Sequence, residues 1–81
     1  MKEIGEVFSY YDRIGVAAIR LRGNIKVGDK IKIMGHTTNF EQDVQNMQIE
    51  HQKVTSAKSG DEIGIKVAEK VRRRDKVYRV E

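Results

Sequence analysis

Gly23-Asn24-Ile25-Lys26-Val27-Gly28-Asp29-Lys30-Ile31-Lys32-Ile33 is the stretch on which the fold turns. Its glycine spacing mimics the opening of a phosphate-binding P-loop, G-x-x-x-x-G-K-[ST]. Asp29, however, stands where the phosphate-gripping lysine belongs, and Lys30 replaces the hydroxyl that would hold magnesium. Ile31 and Ile33 then alternate with Lys30 and Lys32 instead of opening a helix. Alternation of period two after a Gly-Asp turn specifies a half-buried strand, so no nucleotide is expected here.

The same grammar extends outward. Ile63, Ile65 and Val67 alternate with Glu62, Gly64 and Lys66, and Ala17, Ile19 and Leu21 oppose Ala18, Arg20 and Arg22. Residues 16 to 22 therefore read as a strand with a basic outer face. A strand through Val7 and another from Val77 to Val80 complete the set. Turns fall at 12–15, 23–24, 27–29, 35–36 and 59–61, where Gly, Asn and Asp tolerate positive φ. Seven glycines, no proline and spacings of about ten residues suggest a meander that closes on itself, because an open sheet exposes costly edges. The expectation is one all-β domain over residues 1–81, a small closed barrel of six or seven strands, without internal repeat or linker.

Residues 40–52 carry two local patterns. Phe40, Val44 and Met47 sit at i, i+4 and i+7, as on an amphipathic helix. As a strand, the segment keeps its inward face only if a bulge near Gln45-Asn46 absorbs one residue.

With 81 residues the core is small, and a large enzyme is excluded. Zero cysteines exclude disulfides, zinc fingers and thiol nucleophiles, and the longest apolar run, 16–19, is far too short for a membrane helix. A cytoplasmic protein is expected. His36 and His51 match no metal-ligand spacing, Ser9, Ser56 and Ser59 have no evident base, and neither a metal nor a cofactor is expected. Of the aromatics, Phe8 and Tyr10 share one face of a regular strand and Val7 and Tyr11 the other, leaving one pair partly exposed.

The net charge of +4 lies wholly in the last sixteen residues. Lys70, Arg72, Arg73, Arg74 and Lys76, with Arg20 and Arg22 from the earlier strand, form the candidate nucleic-acid contact, since guanidinium groups fork onto phosphate oxygens. A solvated turn is the alternative reading of the same charges.

Two glycine-aspartate elements carry a family resemblance. Gly23 to Ile33 resembles the G-x-[LI]-K-x-G-D-x-[IV]-x-I signature in the second domain of translational GTPases, and Ala57 to Ile65 resembles that domain's later A-x-x-G-D-x-[IV]-G-[IL] element. The step from Val44 to Met47 is similar to that family's bulged strand and favours β over helix. A closer likeness, through Lys2 to Tyr11, 15–17, 35–40 and 47–49, is to the C-terminal barrel of the collagenase-like peptidase family. The resemblance implies a translation-factor type barrel in which Gly23, Gly28, Asp29, Gly60 and Asp61 build turns rather than catalyse. It also implies a glycine before the last aspartate, where this chain has Arg74. The expected function is a stand-alone, non-enzymatic module binding tRNA or ribosomal RNA; the alternative is an accessory barrel docking on a larger protein.

Overall fold

The computed structural model describes residues 1–80, among which there are ten strands and no helix. They are β1 (Lys2–Tyr11), β2 (Val16–Leu21), β3 (Ile25–Lys26), β4 (Lys30–Met34), β5 (Asn39–Asp43), β6 (Met47–Ile49), β7 (Gln52–Val54), β8 (Ser56–Ala57), β9 (Glu62–Lys66) and β10 (Lys76–Val80). Eight pair in the order β5-β4-β10-β1-β2-β9-β6-β7, and β3 pairs with β8 apart from them. All these pairings are antiparallel. Ile4, Ala17, Ile19, Ile31, Ile33 and Val77 are wholly buried, so the alternating rows read from the sequence do meet in one core.

The closed barrel of six or seven strands is not what forms. The large sheet ends in two unpaired edges, β5 and β7, and the strands are shorter and more numerous than expected. The reason lies at Val44, whose amide donates to Asp29 O (2.8 Å) and whose carbonyl accepts from Gly28 N (2.9 Å). With its backbone bound to the 28–29 turn, the chain leaves β5 there and re-enters pairing only at Met47, against β9 and β7. Residues 40–52 are thus neither a helix nor one bulged strand, yet Val44 and Met47 are both 1% exposed, so the two inward positions are kept.

A side chain of β5 reaches across to the end of β9. The Gln42 carboxamide donates from Nε2 to Lys66 O (2.9 Å) and accepts at Oε1 from Ala68 N (2.7 Å). One side chain thereby reproduces the donor and acceptor of a ladder peptide, satisfying the Lys66 carbonyl and the Ala68 amide where β9 ends.

Strand β1 carries two irregularities, with Ile4 and Phe8 left without a partner in the register. A bulge shifts every later side chain to the opposite face. Val7 and Tyr10 therefore both meet the core, replacing the pairing of Phe8 with Tyr10, while Tyr11 stays 52% exposed.

Gly35, in the turn after β4, holds the last turn of the chain in place. The Asp75 carboxylate packs on its Cα so closely that a Cβ there would overlap it. Gly35→Ala should cost about 1–3 kcal/mol, the usual penalty for overpacking a filled site, read as a lowered urea midpoint at unchanged m-value.

Candidate functional site

The basic residues come together only in part. Arg20 and Arg22 project from the outer face of β2 and its end, opposite the buried Ala17, Ile19 and Leu21. The segment between β9 and β10 is pinned beside them, because Val71 and Asp75 are buried and Arg74 N donates to Val7 O while Val7 N donates to Asp75 O (both 2.8 Å). Arg20, Arg22, Arg73 and Arg74 then line a concavity of about 200 Å³ with Glu6, Val7 and Phe8. Arg72 and Lys70 are exposed outside it, and Lys76 meets Glu6 from the neighbouring strand.

Carboxylates temper this charge. Arg20 pairs with Glu62 (2.9 Å), Arg22 bridges Glu3 (2.9 Å) and Glu6 (3.1 Å), and Lys76 reaches Glu6 at 3.2 Å. Arg20 also lies over the Phe8 ring, 5.1 Å from its centre. Arg73 and Arg74 make no ion pair among the described residues. The Glu6 carboxyl is held below its ordinary pKa by the Lys76 hydrogen bond first, then by the charges of Lys76, Arg22 and Arg74.

A second concavity, about 520 Å³, opens on the outer face of β2 and β9. Its floor is low because Ala18 faces Gly64 across the ladder, and its walls combine Phe8, Tyr11, Ile14 and Ile49 with the polar Gln48, Glu50, His51, Asp61 and Glu62. Ile14 is 61% exposed at the tip of the β1–β2 hairpin. Sequence reasoning missed this groove, although Ala18 and Gly64 on outward positions were its signal.

The glycine-aspartate turns repeat a single geometry three times. Asp29, Asp61 and Asp75 each accept at Oδ2 from the amide three residues earlier, of Lys26 (3.0 Å), Lys58 (3.0 Å) and Arg72 (2.8 Å). Each also donates its own amide back to that residue's carbonyl. The residue before each aspartate has positive φ: Gly28 +100°, Gly60 +95° and Arg74 +76°. An internal repeat is therefore present where none was expected: buried residue, base, turn, aspartate, strand. Ile25 faces Ala57 across β3 and β8, so the first two copies meet about a local dyad. Around it Lys26, Asp29, Lys58 and Asp61 line an open polar hollow of about 750 Å³, with Gly23 packed on Ile4 nearby. The aspartates are engaged in their turns. His36 and His51 lie on separate turns, and no group of three His, Cys, Asp or Glu residues among those described is placed to hold a metal.

The structure defines a small all-β domain in which part of the basic cluster, Arg20, Arg22 and Lys76, is paired with carboxylates beside an open groove. The particular family is shown by comparison: residues 2–75 match the peptidase family U32 C-terminal domain, and the chain belongs to it. It is 44% identical over 77 residues to an uncharacterized protease of Methanocaldococcus jannaschii, covering 94% of this chain and 19% of that protein. It is 41% identical over 78 residues to a collagenase of Porphyromonas gingivalis, covering 94% of this chain and 22% of the collagenase. The chain thus spans about a fifth of the length of the curated relatives it matches. The C-terminal domain of a Geobacillus thermoleovorans protein described as a U32 peptidase shares the fold, with a TM-score of 0.92 at 19% identity over 99% of this chain and 93% of that one. The peptidase-family match overturns the translation-elongation-factor reading, and with it the tRNA and ribosome expected as partners; the likeness to the collagenase-like C-terminal barrel is the one that stands.

Two outcomes follow for the basic turn. Arg74→Gly should raise stability by about 0.5–1 kcal/mol, since relief of a left-handed side chain outweighs the entropy glycine loses on folding; a urea midpoint shifted upward checks it. For Glu6, a carboxyl with a lowered folded pKa stabilises fully above the ordinary value of 4.5 and loses that contribution as pH falls through the folded pKa. Glu6→Gln should therefore lower the midpoint at pH 7 and shrink the difference between pH 7 and pH 3.

Proposed function

We propose that this chain is an accessory docking domain that works with the larger part of a U32-type peptidase and carries none of its chemistry. The observation that carries the reading is the family match over residues 2–75, combined with the fifth of the relatives' length that it represents. What the relatives are named for, proteolysis and collagenase action, then belongs to the remaining four-fifths. The surface geometry agrees with that division. Its hollows are open, three of its five aspartates are engaged in turns, and a concavity with more apolar than polar surface lies on an outer sheet face, as a contact surface does. A domain of this type stabilises the larger part or orients a protein substrate toward it.

The test is association in trans. The separately expressed remainder of the Methanocaldococcus jannaschii relative, mixed with this chain, should give a one-to-one complex by calorimetry with Kd at or below about 10 μM, roughly −7 kcal/mol. Absence of heat and of a co-eluting complex at about 100 μM of both partners overturns the reading.

A further inference from the structure

The apolar groove and the arginine concavity are one continuous surface. Phe8 lines both, and Arg20 lies over its ring while pairing with Glu62, itself a wall of the groove. Along β2 the outward residues run Val16, Ala18, Arg20 and, just past the strand, Arg22, so the surface passes from apolar to basic in one direction. At about 3.3 Å per residue this strip is roughly 20 Å long, the span of six or seven extended residues. Its apolar end is flanked by Tyr11 and Ile14, which stay more than half exposed with nothing of this chain to cover them among the described residues. At its basic end Arg73 and Arg74 add charge that no carboxylate among the described residues pairs.

The geometry points to a two-part docking strip whose occupant is an extended protein segment, apolar at the end that lies on Ala18 and Gly64 and acidic at the end that meets Arg73 and Arg74. The assignment rests on the docking function proposed above and names the chemistry of the segment that docks. Charge complementarity selects this occupant: an acidic end meets Arg73 and Arg74, which no carboxylate among the described residues pairs, whereas Arg20 and Arg22 are already held by Glu62, Glu3 and Glu6. The floor favours an apolar side chain because Ala18 and Gly64 offer no polar side-chain atom. Burial of Tyr11 and Ile14 by the partner supplies the apolar contact that the free domain lacks.

Two measurements test the strip independently. In the first, Ile14→Glu and the double change Arg73→Glu/Arg74→Glu are compared in binding to the larger part of the Methanocaldococcus jannaschii relative. Both sites are exposed outside the core, and each variant should weaken binding about tenfold or more, with only the wild-type arginine contribution lost on raising salt. Binding that survives in both variants leaves the docking function standing and overturns the strip; loss in only one overturns its two-part character. In the second, the isotope-labelled chain is titrated with two synthetic eight-residue peptides sharing an apolar half, one ending in Asp and Glu, the other in Lys. The acidic peptide should shift the amides of Phe8, Ile14, Gly64, Arg73 and Arg74, and the basic one should not. Equal shifts, or none on the strip, overturn the assignment. Shifts with the acidic peptide alone uphold it even if the larger peptidase part fails to bind.

Discussion

An aspartate carboxylate closing on the amide three residues behind it is the contact from which this domain is assembled. Asp29, Asp61 and Asp75 each make it, and each time the chain emerges directly into a core strand, β4, β9 or β10. The clamp fixes both the direction of that strand and the burial of the residue that precedes the turn, Ile25, Ala57 or Val71. Its third copy is the most deeply set. Asp75 is 3% exposed, with its carboxylate packed on Gly35 and its carbonyl accepting from Val7 N, so β1, β10 and the turn after β4 all converge on one residue. A buried acceptor of this kind is costly to leave unpaired, which makes the turn and the sheet mutually dependent.

The alternating rows were plain in the sequence because period-two patterns depend on local order alone. Ile31, Ile33, Ile63 and Ile65 could be placed inward without knowing their partners, and the structure buries all four. What was hidden depends on contacts between distant residues. The break at Val44 is set by the turn at 28–29, and the end of β9 is bonded by Gln42, a residue whose type says nothing about which backbone it will meet. The third copy of the turn was masked for a different reason: Arg74 takes a left-handed conformation that glycine holds in the other two. The β6–β7 turn was equally silent, since Glu50 and His51 both adopt positive φ where Asn-Gly would have announced a hairpin.

The candidate site divides along the same line. The charge asymmetry of the chain was legible as composition, and four of the residues it singled out do gather in space. Their partners were not legible. Glu3, Glu6 and Glu62 come from two other strands and remove much of the field that the sequence ascribed to Arg20, Arg22 and Lys76. Exposed pairs of this kind contribute little stability, but they narrow the free positive charge to one end of a surface whose other end is apolar. In the docking strip proposed above, specificity would follow from the order of the two patches along β2 rather than from net charge.

The strand order has a consequence for how the chain comes into being. β10, made last, lies between β4 and β1. Until residues 76–80 emerge, β5-β4 on one side and β1-β2-β9-β6-β7 on the other are separate ladders, each with a bare inner edge. During synthesis the domain therefore stays unfinished to the end, and its final strand acts as a keystone. Completing the sheet requires β10 to meet β1 across nearly the length of the domain, and contacts of such sequence separation slow folding.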